Sequence, residues 1–324
     1  MREFGVRMLP EAQTTRDNLG PLLDLRGTWH NQGKFTGWNV ISVPGPKTTA
    51  LPDGFDLEVI PYEEELIFEP VAFEAKNKGP FDAQGNQTVQ DIFGLRYQQT
   101  IKTIDTKNKN PNFNAKPVTA ENPNGNVIHA ENGFFLWVNP QSPANPGTAA
   151  NNVLIRLASI PHGNAVLLQG QVIPLGATPN NFFSVNPQNP ITAPTQPKSL
   201  SGAPIPYGAG QFGVQIDGNK VFSVANQQDP DTFLQDTLIK NNDTITSMQV
   251  LSFNTNIVDS GILNIPFLQN NVKAIDMTAT FWIETLKTGE VQLQYSQTIN
   301  LQFPPTGSTT PIIWPHVTIN TMRK

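Results

Sequence analysis

Cysteine is absent from the 324 residues, which excludes disulfides, thiolate nucleophiles, iron–sulfur clusters and Cys-ligated zinc. Histidine, carboxylates and tyrosine remain as the protein ligands for any metal. Charge is also scarce: 15% of residues are charged and the formal net charge is −5. That balance gives no basic footprint for nucleic acid and no polybasic segment for an anionic membrane, so neither partner is expected. No apolar run reaches the length of about 18 residues that a membrane helix needs. The first twenty residues carry Arg2, Arg7, Glu11, Arg16 and Asp17 instead of an apolar leader core, so the expectation is a cytoplasmic, unanchored chain. The hydrolytic signatures Gly-x-Ser-x-Gly and His-Glu-x-x-His and the phosphate loop Gly-x-x-x-x-Gly-Lys are all missing. The carboxylate run Glu63, Glu64, Glu65 puts Glu64 on the opposite strand face from its neighbours.

What the chain has in quantity is turn chemistry. It holds 29 Pro and 24 Gly among abundant Asn, Gln and Thr, the residues of loops between short elements. Between those loops the grammar is that of strands, rich in aromatic and β-branched residues: 35–43, 55–71, 92–104, 127–138, 153–160, 165–173, 244–253, 262–267, 274–286, 291–303 and 312–322. Two helical signals stand out. Pro21 starts a short turn in Leu19–Arg26, and Asp229-Pro230 caps a helix whose Phe233, Leu234, Leu238 and Ile239 share a face. Residues 174–210 are Pro- and Asn-rich with little apolar periodicity, and 139–152 form a shorter stretch of that kind. The fold expected is all-β: an up-and-down antiparallel barrel of about ten strands, with one short helix and a long insertion over about 174–260. That reading makes 1–324 a single elaborated domain; two β domains split near 175–210 are the alternative.

Five segments, in order, resemble the nitrobindin-like haem-binding barrels, which share the fatty-acid-binding-protein and lipocalin-like shape. They are Leu25-Arg26-Gly27-Thr28-Trp29 with Gly33 and Gly37, Tyr62-Glu63-Glu64-Glu65-Leu66-Ile67-Phe68, Leu95-Arg96-Tyr97-Gln98-Gln99, Ile128-His129-Ala130-Glu131-Asn132-Gly133-Phe134, and the closing Trp314-Pro315-His316 to Lys324. The resemblance implies b-type haem in a rim cavity, held by His316 as proximal ligand. It implies chemistry with nitric oxide, peroxynitrite or peroxide, as a peroxynitrite isomerase or peroxidase-like activity. The chain departs from the family in length, in residues 174–260, and in Val43-Pro44-Gly45-Pro46, where the family has Tyr-Pro-Thr. A haem-free carrier of a fatty acid or other small apolar ligand is the alternative, and a structural or partner-binding β protein is a third reading.

Only four histidines exist, His30, His129, His162 and His316. By strict alternation His316 shares a face with Trp314, Thr318 and Asn320, the more polar side of its strand, which in a simple barrel faces outward. A break at Pro315 would turn it inward. His129 and Glu131 lie two apart and point to one side, either as a ligand with its orienting acceptor or as a buried structural pair. His162 sits in the turn Ile160-Pro161-His162-Gly163-Asn164 at a barrel rim, facing either the cavity mouth or solvent. Among the tryptophans, Trp38 and Trp314 are the candidates to flank a flat cofactor, against the plainer expectation that barrels fill their interiors with such rings. Tyr97 and Gln99 share a face as polar anchors or simple cross-strand partners.

Overall fold

The computed structural model describes residues 19–44, 55–104, 127–138, 154–173, 214–216, 219–223, 226, 229–304 and 311–324. The Pro/Asn-rich stretches at 139–152 and 174–210 fall outside the described residues. After a 3-10 turn at Gly20–Leu25 come β1 (Gly27–Asn31), β2 (Gly37–Pro44), β3 (Phe55–Phe81), β4 (Gln87–Thr103), β5 (Val127–Val138), β6 (Leu154–Ile160) and β7 (Asn164–Ile173). A small hairpin, β8 (Val214–Ile216) and β9 (Asn219–Phe222), precedes helix α1 (Asp231–Asn241). Then follow β10 (Ile245–Asn254), β11 (Gly261–Asn264), the one-turn helix α2 (Pro266–Gln269), β12 (Lys273–Leu286), β13 (Val291–Phe303) and β14 (Ile312–Arg323). No helix among the described residues is long and apolar enough to cross a membrane.

The strands close into an antiparallel barrel of ten staves. Two staves are broken. β1 and β2 both lie between β14 and β3, and β10 and β11 both pair β7. β14 closes the circuit, with Ile319 opposite Ser296 of β13 on one side and Trp38 of β2 on the other. Closure leaves no free edge along these staves, which suits strands this long. Strands from before residue 175 and after residue 244 thus share one sheet, and β10, which falls within the stretch expected as an insertion, is a barrel stave. Phe35, expected in a strand, instead sits in the turn between β1 and β2 with φ 68°.

The period-2 alternation sorts residues into two cores. Inside, at one end, Leu66, Phe68, Leu95, Tyr97, Phe135, Leu168, Phe253, Phe281, Leu293 and Met322 pack around Trp29. The 3-10 turn closes that end: Leu22 and Leu25 are fully buried, and Trp29 Nε1 donates to Leu25 O at 2.6 Å. Each such fully buried side chain stabilises the fold by about 1.5–3 kcal/mol. The second core lies on the outer wall. Trp38, Val40, Val59, Val250, Trp282, Val317 and Ile319 face away from the lumen and are covered by Phe222 of the β8–β9 hairpin and by Phe233 and Leu234 of α1. α1 therefore packs outside the barrel. Its buried face is Leu234, Thr237 and Leu238, while Ile239, expected on that face, is exposed.

Beneath α1 the outward residues Glu284, Gln292, Gln294 and Ser296 are fully buried. Burial pushes the Glu284 carboxyl up to about 8, against the hydrogen bond from Gln292 Nε2 and with help from Asp243. The folded state therefore keeps a proton that the unfolded chain releases near 4.5. The contribution is fully present below that value and is lost as pH rises through about 8. Glu284→Gln should remove this dependence, gaining about 3 kcal/mol or more over wild type above the folded pKa and little in mild acid. Urea unfolding of both proteins across that range checks it, and parallel pH profiles would contradict it.

Candidate functional site

At the end of the barrel away from the 3-10 turn lies a cavity of about 360 Å³, within the range of small-ligand sites. Its walls are mainly apolar, including Ile41, Ile101, Val166, Met277, Ile299 and Leu301. Three of the four histidines, His129, His162 and His316, line it. α2 sits at the rim, where Leu268 joins the lining and Ile265 N donates to Gly163 O at 3.0 Å.

His316 faces inward without any break in its strand. The β13–β14 register runs on through Leu301↔Trp314, Asn300↔Pro315 and Ile299↔His316, so Pro315 introduces no bulge. The strict alternation holds through the strand, and its more polar face is the inward one. The inward residues that follow His316 on β14 are polar: Thr318 Oγ1 donates to Asn39 Oδ1 at 2.8 Å, and Asn320 Nδ2 donates to Glu64 Oε2 at 2.8 Å. The apolar face, Val317 and Ile319, belongs to the outer wall under α1 and β9. His316 Nε2 is buried and has no hydrogen-bond partner among the described residues. Burial, then the fields of His129 and His162, hold this imidazole down at about 4, so near neutral pH it is uncharged.

His129 and His162 stack on each other, ring centroids 5.5 Å apart. Burial and the neighbouring His129 lower His162. His129 Nε2 lies 3.3 Å from Glu131 Oε2. In the circuit of staves, β5 and the β6–β7 turn are four and five positions from β14. In a ten-stave barrel that places them across the lumen, roughly 20 Å wide between backbones. His316 thus stands on one wall and the His129–His162 pair on the other.

Glu131, which with Gln297 lines the cavity, anchors a buried network. Arg156 Nη2 donates to Glu131 Oε1 at 2.7 Å, Arg156 Nε donates to Tyr97 OH at 3.1 Å, Tyr97 OH donates to Glu131, and Arg156 Nη1 bonds Gln297. Burial alone would raise Glu131, but Arg156, with His129 and Tyr97, brings it down to about 2. Burial raises Tyr97 well above its ordinary value. A second network holds Glu64, which accepts from Tyr295 OH at 2.6 Å and Gln99 Nε2 at 2.6 Å. Gln99 also lines the cavity.

Of the remaining sequence candidates, Trp314 shares the inward face of His316 and packs on Phe303, ring centroids 5.3 Å apart, outside the cavity lining. Trp38 is not at the cavity. It lies on the outer wall against Phe222, centroids 4.6 Å apart, because Asn39 and Ile41 take the inward parity of β2. His30 is exposed on β1, paired with Glu65 and Arg323. Arg156 was not anticipated. Its signal was a charge on the same strand parity as Leu154 and Ile160.

Among the described residues, no three His, Asp or Glu side chains are grouped to chelate a metal ion. A bare ion held by three protein ligands is therefore not what these histidines fit. A haem iron, whose macrocycle supplies four nitrogen ligands itself, needs one imidazole, and His316 offers an uncharged, unpartnered nitrogen.

No protein-family model matches the chain, and no curated protein sequence matches it. Among solved structures, the crystal structure of Rv2717c from M. tuberculosis is similar over 98% of this chain and 99% of that chain, at 12% identity and a TM-score of 0.40.

Proposed function

We propose that the barrel binds b-type haem in this cavity, with His316 as the protein ligand to iron. The observation that carries the reading is the His316 imidazole: partly buried and uncharged, its Nε2 buried and without a partner among the described residues, and directed into a mainly apolar cavity. An unprotonated imidazole needs no proton removed before it binds iron, and the apolar walls suit a flat macrocycle. Bound haem would supply an iron centre open to a small molecule such as nitric oxide, peroxynitrite or peroxide. The chain's own residues bound that space. His129 and His162 stand on the facing wall, and Glu131 holds His129 in orientation.

Charge does not separate haem from a fatty acid: no Lys or Arg is among the residues lining the cavity and the nearby Arg156 is already committed to Glu131, so neither the haem propionates nor a fatty-acid carboxylate meets a free cation among the described residues.

Titrating the purified protein with hemin tests the proposal. Wild type should develop a sharp Soret band at one hemin per chain, and His162→Ala should keep it. His316→Ala should lose it or bind at least about tenfold more weakly, the loss of about 1.4 kcal/mol or more. A wild-type protein that gives no band, and from which a lipid is extracted instead, would move the assignment to an apolar-ligand carrier.

A further inference from the structure

The outer wall carries a second group of buried polar atoms that the cavity does not use. α1 lies over the outside of β14 and reaches β13, where Leu234 O accepts from Gln294 Nε2 at 3.0 Å. This sets the first turn of the helix beside Ser296, which shares its outward strand face with Thr298 two residues on. Both carboxylate oxygens of Asp231, Oδ1 of Asp229, Oγ of Ser296 and Oγ1 of Thr298 are buried without a hydrogen-bond partner among the described residues. Ser296 is 0% exposed and Thr298 7%. Ser296 lies against the Asp231 carboxyl without closing a well-formed hydrogen bond to it, and the charge of Asp229 reaches the same carboxyl. No Arg or Lys among the described residues offsets the two acids: the influences on Asp231 are burial, Ser296 and Asp229, and those on Asp229 are burial and the Asp231 backbone N–H.

Buried polar atoms left without a well-formed hydrogen bond are rare in folded proteins, and each calls for an explanation. A helix start by itself favours an anion, but here two carboxylates already occupy it and reverse the preference. We propose that Asp229, Asp231, Ser296 and Thr298 form a binding site for a hard divalent cation, calcium in the first instance. The donors are all oxygen, with no nitrogen or sulfur among them, which is the chemistry of calcium and magnesium rather than of zinc or copper. Two carboxylates match the charge of one divalent ion. Calcium tolerates irregular geometry, whereas magnesium demands near-octahedral ligands and keeps several waters of its own.

The ion would clip the start of α1 to β13 and so hold the helix over Trp38, Trp282 and Ile319 on the outer wall. The competing occupant is a proton. Burial raises Asp231 to about 7 and also raises Asp229, so a protonated Asp231 could donate to one of the hydroxyls instead.

Calcium chloride titration of the chelator-treated full-length protein, followed by calorimetry and thermal unfolding, separates the two. The site should take up one calcium per chain and raise Tm by about 3–6 °C at calcium two orders of magnitude above half-saturation. Magnesium chloride should do so less, and sodium chloride of equal ionic strength not at all. Asp231→Asn should abolish both uptake and shift while keeping the wild-type circular dichroism spectrum, and Ser296→Ala should weaken uptake about tenfold. Wild type that neither takes up calcium nor shifts in Tm, or either variant binding like wild type, would overturn the site. A stability change centred on the Asp231 titration that vanishes in Asp231→Asn, without calcium uptake, would assign the pocket to the proton.

Discussion

Replacing Arg156 by Met is expected to destabilise the barrel by about 3–5 kcal/mol, because it leaves Glu131 as a buried charge without its cation. The guanidinium bonds Glu131, Tyr97 and Gln297 and lies 5.4 to 5.6 Å from the ring centres of Tyr97, Phe135 and Phe281. Both packing and charge are lost together. The sign of the charge contribution can be separated by a double substitution. Glu131→Gln with Arg156→Met removes both charges and should cost well under the sum of the two single changes, by about 2 kcal/mol or more. Urea denaturation of the four proteins measures this. Additive losses, or an Arg156→Met protein within about 1 kcal/mol of wild type, would contradict a coupled Glu131–Arg156 network.

Gly133→Ala should cost a comparable amount, about 3 kcal/mol or more, or prevent soluble expression. A Cβ at this position would stand 1.8 Å from the carbonyl oxygen of Leu157 and 2.8 Å from the Tyr97 ring. Gly133 pairs with Tyr97 on β4 and Ala158 on β6. The obstructing oxygen belongs to the ladder itself and cannot move without loosening β5 from β6. Gly33→Ala serves as the control, since nothing lies within 4 Å of its added Cβ, and it should be near neutral. Thermal unfolding of the pair decides the matter, and equal Tm values would remove the steric argument.

The strands were legible in the sequence because alternation and turn residues are local, and β5, β12, β13 and β14 fall close to the runs that alternation marks. The direction each face takes was not local information. Val317 and Ile319 looked like a lumen face because nothing in β14 announces that α1 and β9, some eighty or more residues earlier, cover the outside. The same cover explains Trp38, an aromatic assigned to the cavity that packs on the outer wall instead. His129, His162 and His316 could each be named from rarity and position, but their meeting in one cavity depends on the order of staves around the barrel. Arg156 shows the converse case. Its inward parity was readable, but a buried arginine is plausible only once Glu131 and Tyr97 are seen beside it.

The central claim, that His316 supplies the iron's protein ligand, is tested most directly by removing the imidazole and giving it back. His316→Gly titrated with hemin should show no sharp Soret band, and adding free imidazole should restore a band like that of wild type, since the small molecule can occupy the space the side chain leaves. A His316→Gly protein that binds hemin with the wild-type spectrum and affinity in the absence of imidazole would contradict the assignment.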